Sequence, residues 1–275
     1  MSIRIIIWLM PSGSTSGNQG PAVSLPGTGD PCLDRAVLPA RGMQFVMYSE
    51  KKITVVIPCL NEEEGIARVL DRIPEFVDEV IVVDNNSTDR TAEVARDLGA
   101  RVVQEDKRGY GRAYKTGLMH AKGDIIITLD GDHSYPVDSL SYLIEALLDS
   151  GVKFVSASRF PIQDRDSMSL KNMIGNFMLS LVASILFLRR IRDSQSGMWI
   201  FYREALGRMN LISDGMAFSE EIKLEAMLNP DIGFRECPIR YSNRAGEIKL
   251  RPWRDGWSNL LFLFRKRSKS WGRSW

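Results

Sequence analysis

The sequence predicts an α/β protein whose mostly parallel sheet carries helices on both faces. Short runs that are wholly apolar and largely β-branched recur at 53–57, 80–83, 125–129 and 154–157, as strands buried on both sides do. Segments with apolar residues at helical spacing lie between them, and that alternation builds a parallel sheet covered by its own crossovers. At 275 residues and 44% hydrophobic composition, the chain holds enough apolar material for one full core.

Residues 1–50 stand apart from the rest. A brief apolar run, Ile5 with Ile6, Ile7, Trp8, Leu9 and Met10, precedes a stretch to Pro39 dense in Gly, Pro, Ser and Thr. Such a composition does not bury enough surface to offset the entropy of ordering. The apolar run is too short and its cleavage signature too poor for a secretory leader. A disordered tail is expected, or a start placed upstream of the true one at Met43 or Met47. The folded domain is expected over 51–250 and a basic, aromatic tail over 251–275.

The elements then follow in order. A first strand at 53–57 leads into a helix with Ile66, Val69, Leu70 and Ile73 on one side, and Asn61 with Glu64 reads as its capping box. A strand at 80–83 precedes a helix at 87–98 closed by Gly99. A short strand at 101–103, a helix at 112–121 and a fourth strand at 125–129 come next. Val137, Leu140, Leu143, Ile144, Leu147 and Leu148 share one face of the following helix, and 154–157 reads as a fifth strand.

Charge and composition exclude several function classes. Lys plus Arg (36) nearly balances Asp plus Glu (34), so the net charge of +2 gives no general attraction for nucleic acid. Cys32, Cys59 and Cys237 are odd in number and widely spaced, which argues against a disulfide framework or a structural zinc site and fits a reducing cytoplasm. With only His120 and His133 available, any metal is held by oxygen. No stretch reaches the ~18–20 uninterrupted apolar residues of a spanning helix, so the chain is not expected to cross a bilayer.

The acids carry the candidate chemistry. Asp84 ends the second strand in Val82-Val83-Asp84-Asn85-Asn86-Ser87-Thr88-Asp89, and Asp130 ends the fourth in Leu129-Asp130-Gly131-Asp132. Parallel sheets bind ligands beyond the carboxyl ends of their strands, so both are expected to project into one crevice. A lone acid after a strand is commonly a cap or turn residue, but two at neighbouring strand ends weigh more. Asp130 and Asp132, separated by Gly131, suit one hard cation, Mg²⁺ or Mn²⁺, which would neutralise a departing diphosphate. The same spacing in Asp164-Arg165-Asp166 lies in a polar loop and is assigned no metal. Asp84 suits the ring N–H of uracil or guanine, with Pro58 and Glu62 closing the base pocket. The segment Lys107-Arg108-Gly109-Tyr110-Gly111-Arg112 is either a phosphate cradle or a solvated turn.

Val55-Val56-Ile57-Pro58-Cys59-Leu60-Asn61-Glu62, the Asp84 to Asp89 segment and Asp130-Gly131-Asp132 together resemble the core motifs of the GT-A glycosyltransferases of family two. Ser158-Arg159-Phe160, Gly175-Asn176, Asp193-Ser194-Gln195-Ser196-Gly197-Met198 and the stretch from Tyr241 to Leu250 resemble the dolichyl-phosphate mannose synthase branch and its polyprenyl-phosphate relatives. The resemblance runs over about 53–250. It implies a GT-A, Rossmann-like sheet and transfer of a hexose from GDP-mannose or UDP-glucose to a polyprenyl phosphate, with inversion. It further implies that Pro58, Glu62 and Asp84 contact the nucleotide and that Asp130 and Asp132 hold base, ribose or metal. Arg159, Arg244 and Lys249 then handle the phosphates of donor and acceptor. Gln often stands where this chain has Ser134 in the mannose-transferring members, and Ser where it has Ile248.

A lipid phosphate is already an anion and needs no general base. A sugar hydroxyl acceptor would need one, and Asp193 or Glu220 would be the candidates. A processive polysaccharide synthase is a poor fit, since no Q-x-x-R-W motif is present. For a nucleotidyltransferase, Asn61-Glu62-Glu63-Glu64 places carboxylates where a glycine-rich phosphate loop belongs. A catalytically idle, membrane-peripheral binding module is the rival from another class, and intact Asp84, Asp130 and Asp132 speak against it.

Two segments point to a membrane surface. Met178, Leu181, Val182, Ile185 and Leu186 lie in an apolar helix over 173–188 that ends in Arg189, Arg190 and Arg192. Apolar residues at 260–264 precede Arg265-Lys266-Arg267-Ser268-Lys269, with Trp253, Trp257, Trp271 and Trp275 near by. Amphipathic helices with basic ends suit the headgroup layer, so a peripheral enzyme on the cytoplasmic face is expected, against the plainer alternatives of a core helix and a solvated tail.

Overall fold

Seven strands lie in one sheet: β1 (Ile53–Cys59), β2 (Glu79–Asp84), β3 (Arg101–Gln104), β4 (Ile125–Thr128), β5 (Phe154–Ser158), β6 (Trp199–Tyr202) and β7 (Arg235–Pro238). Their order is β3-β2-β1-β4-β6-β5-β7. The computed structural model describes residues 51–162, 168–242 and 252–270. β1 pairs in parallel with β2 and β4, β2 with β3, and β5 with β7, whereas β6 runs antiparallel to both of its neighbours. The sheet is thus mostly parallel, and its sense of progression reverses between β1 and β4. Ligands bind at such a switch point, outside the carboxyl ends of the strands.

Seven helices accompany the sheet: α1 (Glu63–Leu70), α2 (Thr91–Asp97), α3 (Tyr110–His120), α4 (Leu140–Asp149), α5 (Leu170–Phe187), α6 (Phe218–Leu228) and α7 (Pro252–Ser270). One core joins Val55, Ile57, Val82, Ile125 and Ile127 of the sheet to Ile66 and Val69 of α1, Ala95 of α2, and Leu143 and Leu147 of α4. A second, on the opposite face, joins Val56, Val83 and Ile126 to Tyr114 and Leu118 of α3 and to Phe218 and Ile222 of α6. Alternate strand residues feed alternate cores, which is why the strands read as unbroken apolar runs. A third cluster holds α5 and α7 against α6 through Ala183, Phe187, Leu224 and Leu263.

The five strands expected from the sequence are present. β6 and β7 were not expected, and β6 supplies the antiparallel member of the sheet. Other differences have local causes. Asn61 is not a helix cap: it sits at φ 52°, and its Oδ1 accepts from the Thr88 N–H at 2.7 Å, while Glu62 precedes the helix with no side-chain cap bond. The helix expected over 87–98 shortens to α2 because the preceding turn is held by side chains. Ser87 N donates to Asp84 Oδ1 (3.1 Å) and Arg90 N to Glu63 Oε2 (3.0 Å). α5 meets, by length and composition alone, the requirement for a membrane span, with 18 residues and a mean hydropathy of 1.5, contrary to the sequence expectation. Asn176 and Ser180, which interrupt the apolar run in sequence, face inward on the folded helix and leave its outer side apolar.

Candidate active site

Asp84 closes β2 in register with Cys59 of β1, and Asp130 lies two residues past Thr128, whose partner is Val56. Both acids therefore stand at the carboxyl edge flanking β1. They reach it from opposite faces. Asp84 continues the Val82 side of β2, in the core with α1, whereas Asp130 continues the Thr128 side of β4 and meets α3.

The Asp130-Gly131-Asp132 loop packs tightly on the end of β1. A Cβ built on Gly131 would stand 2.5 Å from Cys59 Sγ and 3.6 Å from both Glu62 Cβ and the Pro58 carbonyl, so only glycine permits the approach. This contact brings Pro58 and Glu62 beside the acid pair. Asp132 is buried and its Oδ1 accepts from Ser134 N (3.0 Å) and Ser134 Oγ (2.5 Å). Asp130 Oδ1 accepts from Tyr114 OH (3.0 Å) and Tyr110 OH (3.3 Å), two residues one helical turn apart on α3. The loops after β1, β2 and β4 each carry a non-glycine residue in left-handed conformation, Asn61, Asn86 (φ 64°) and His133 (φ 61°). Backbone strain of this kind collects at functional sites.

A second centre lies at the carboxyl end of β5. Arg159 grips Asp193 with two parallel bonds, Nε to Oδ2 (2.8 Å) and Nη2 to Oδ1 (2.9 Å), and its backbone N–H donates to the same carboxylate at 2.9 Å. Asn176 Nδ2 and Gln195 N complete the Asp193 shell at 2.9 and 3.1 Å. Burial would raise the Asp193 carboxyl, but Arg159 and then Lys223 outweigh it and hold the group well below the usual carboxylate range. Burial pulls Lys223 down to about 8, against the attraction of Asp193 and Glu236, and its ammonium donates to the Asp193 carbonyl at 2.7 Å. Glu220 is buried on α6, accepts from Gln195 Nε2 at 2.6 Å, and is pushed well above the carboxylate range by burial.

Aromatic rings bridge the two centres. The Arg159 guanidinium lies 5.3 Å from the Tyr241 ring centre, Tyr241 is edge-on to Tyr135 at 5.3 Å, and the Tyr135 hydroxyl accepts from Gly197 N at 2.7 Å. A Cβ on Gly197 would fall 3.0 and 3.1 Å from the two Asp130 carboxylate oxygens, so this glycine borders Asp130 directly. Tyr241, Tyr135 and Gly197 thus link the partly buried arginine to the acid edge.

Asp164, Arg165, Asp166, Arg244 and Lys249 lie outside the described residues. In the 107–112 segment, Gly109 N donates to Asn85 Oδ1 (2.8 Å) and Arg112 N to the Asp214 carbonyl (3.1 Å). These donors are spent inside the protein, which favours the turn over the phosphate cradle. Tyr114, Tyr135 and Lys223 were given no site role from the sequence, and Tyr110 and Gln195 were named only as members of longer motifs. For the two α3 tyrosines the available signal was their four-residue spacing.

Among the described residues, no three His, Cys, Asp or Glu side chains converge as a closed metal site. Asp130 and Asp132 offer two hard carboxylates beside a crevice. That donor set fits Mg²⁺ or Mn²⁺ held jointly with phosphate oxygens and water, and not a structural ion.

The profile of Glycosyl transferase family 2 matches residues 54–209. The dolichyl-phosphate hexose transferase of Haloferax volcanii is 34% identical over 212 residues, covering 76% of this chain and 91% of the relative. The low-salt glycan biosynthesis hexosyltransferase Agl6 of the same organism is 33% identical over 218 residues, covering 77% of this chain, which spans only 52% of that relative's length. Glucosyl-3-phosphoglycerate synthase of Mycobacterium tuberculosis, solved with Mn²⁺, UDP and phosphoglyceric acid, shares the fold at a TM-score of 0.63 and 23% identity, over 79% of this chain and 78% of that one.

Proposed function

This chain belongs to glycosyltransferase family 2, and from that premise we propose that it moves a hexose from a nucleoside diphosphate sugar to a polyprenyl phosphate, with inversion, at a membrane surface. The observation that carries the reading is a carboxylate pair at the carboxyl edge of the sheet linked through Gly197, Tyr135 and Tyr241 to a partly buried, clamped arginine. Asp84 accepts from the base, uracil or guanine, while Pro58 and Glu62 line the same pocket. Asp130 and Asp132 would hold Mg²⁺ or Mn²⁺, which when bound supplies the positive charge a departing diphosphate needs. Arg159 steers the acceptor phosphate into line with the anomeric carbon, with Arg244 and Lys249 as its partners in that task. The name of the 34%-identical relative supports the acceptor class, and the Mn²⁺ and UDP of the structural neighbour support the donor side.

A sugar hydroxyl acceptor would need a base, and the geometry offers a poor one. Asp193 is locked under Arg159 and held well below the range in which a carboxylate takes up protons, and Glu220 is buried behind Gln195. An acceptor that arrives as an anion needs neither.

The membrane assignment rests on α5 and α7. Ile174, Phe177, Leu181 and Ile185 of α5 and Trp257 and Phe264 of α7 are exposed, Arg189 and Arg190 follow the end of α5, and Arg267 and Lys269 lie in the last turn of α7. Each cation near anionic lipid adds roughly 1 kcal/mol, so peripheral binding at the cytoplasmic face follows. The test is to incubate the protein with a panel of nucleotide sugars and polyprenyl phosphate, with and without chelator, and to detect product by mass spectrometry. A metal-dependent glycolipid is expected; no product with any donor would overturn the assignment.

A further inference from the structure

The two outer helices bury polar side chains beside the apolar ones that pack on α6, and leave other large apolar residues exposed. On α5, Asn176 is 5% exposed, while Phe177 is 61% and Ile185 63% exposed. On α7, Asn259 is 2% exposed against 64% for Trp257 and 52% for Phe264, and Lys266 turns inward to pair with Glu225 of α6. A helix docked by the hydrophobic effect alone buries its largest apolar residues and keeps amides such as these in water.

The inward polar groups converge on one short segment, 193–195. Asn176 Nδ2 donates to Asp193 Oδ1 (2.9 Å), and Ser194 N donates to Ser180 Oγ (2.9 Å). The Gln195 amide lies between two helices: its Nε2 donates to Glu220 Oε1 (2.6 Å) and its Oε1 accepts from Asn259 Nδ2 (2.8 Å). The same segment provides Asp193, the clamp on Arg159.

We infer that Gln195 and Asn259 are positioning residues that tie the lipid-facing helix α7 to Arg159, so that seating α7 on a bilayer sets the cation that receives the acceptor phosphate. The inference rests on the reading of α5 and α7 as lipid-facing. Lipid favours the apolar outer faces and water does not, and that is the differential contact a bilayer needs to bias the position of α7. The path is contiguous: Asn259, Gln195, the 193–195 backbone, Asp193, Arg159. Three buried oxygens along it, Asn176 Oδ1, Glu220 Oε2 and Asn259 Oδ1, have no hydrogen-bond partner. Unmet buried polar groups are costly, so the seam has hydrogen bonds still to gain from a small shift of α7.

Two measurements on the full chain test this. Amide hydrogen exchange over 192–196 is compared with and without phosphatidylcholine vesicles containing phosphatidylglycerol. Vesicles are expected to slow exchange in the wild type, and Asn259→Leu, while still bound to vesicles, is expected to lose that protection. Unchanged exchange in the wild type, or full protection in the variant, overturns the inference. In transfer assays, Asn259→Leu should raise the KM for polyprenyl phosphate about tenfold, the scale of one lost buried hydrogen bond, with donor KM unchanged. In an Arg159→Lys background the same change should add little, because both act on one group; additive losses overturn the coupling. The double swap Gln195→Asn with Asn259→Gln keeps the bridge length and should restore the acceptor KM, which a loss of stability alone would not predict. Gln195→Met serves should Asn259→Leu fold poorly. Absence of any glycolipid from the wild type would sink the proposed reaction, while the exchange comparison would still decide the coupling.

Discussion

Replacing Gly197 with Ala probes the crevice most directly. The new methyl would stand 2.4 Å from the Tyr110 hydroxyl and 3.0 and 3.1 Å from the Asp130 carboxylate oxygens, well inside the ~3.5 Å of an ordinary contact. The main chain has little room to retreat. Its carbonyl accepts from Thr128 Oγ1 (2.8 Å) and Tyr114 OH (3.2 Å), and its N–H donates to Tyr135 OH (2.7 Å). The misfit therefore falls on Tyr110 and Asp130, and the Tyr110 ring is itself packed edge-on against Tyr114 at 4.9 Å. Overpacking of this kind costs about 1–3 kcal/mol, or about 2–10 °C in Tm for a domain of this size. Displacing Asp130 by a fraction of an ångström should lower kcat/KM for the nucleotide sugar by about 10–100-fold. Thermal melts and donor titration in the presence of Mn²⁺ read the two effects separately. Adding Tyr110→Phe removes the nearest clashing atom and should recover part of both losses. Wild-type melting and donor binding in Gly197→Ala, or no recovery in the double variant, would refute the reasoning.

Other expectations follow from the same geometry. Asp193→Asn leaves the buried Arg159 without its counter-charge and should cost about 3–5 kcal/mol, measured by denaturant melts; a midpoint equal to wild type would show that the pair is not structural. Because the Asp193 carboxyl is depressed in the folded state, its stabilisation is present above the unfolded carboxylate pKa and is lost as pH falls through the lower folded value, so the variant's deficit should shrink in acid. Glu220 has the opposite sign: burial raises its folded pKa, so folding takes up a proton and stability falls as pH rises above the ordinary glutamate value of 4.5. Glu220→Gln should flatten that slope and melt higher than wild type at pH 7 than at pH 4, and a difference independent of pH between 4 and 8 would contradict it. Ser134→Ala removes the hydroxyl donor to Asp132 Oδ1, leaving the backbone N–H of residue 134 as its remaining bond there, and should weaken metal-dependent donor binding about tenfold, seen in Mn²⁺ titrations of nucleotide affinity.

The nucleotide half of the molecule was legible in the sequence because its signals are local. Apolar runs marked β1, β2, β4 and β5, and an acid immediately after β2 and β4 placed two side chains at the ligand-binding edge without knowledge of any contact. What sequence did not show was from which face each acid arrives, since that depends on strand parity carried through Leu129, a residue of the core with α1. It also missed β6, because Trp199, Ile200, Phe201 and Tyr202 follow directly on the Asp193 to Met198 motif with no turn to announce a strand. β7 is only four residues long and begins with Arg235 and Glu236, and no apolar periodicity marks it.

The acceptor half was hidden for a different reason. α6 carries Glu220, Glu221, Lys223 and Glu225, a run of charge with no apolar periodicity, yet all four are buried. Glu221 accepts from the Ile212 and Ser213 N–H groups, Glu225 from Asn210 N and Lys266, and Lys223 donates to the Asp193 carbonyl. Buried charges persist where partners from distant segments satisfy them, and such partnerships leave no periodic trace. The same holds for Asn176 and Asn259, whose place on apolar helices looks like an interruption until the helices are seen from inside. Two cues together would have exposed the arrangement: apolar stretches with basic ends, and asparagines that interrupt them. The helices dock on α6 through apolar contacts as well, but their buried amides converge on the segment that clamps Arg159.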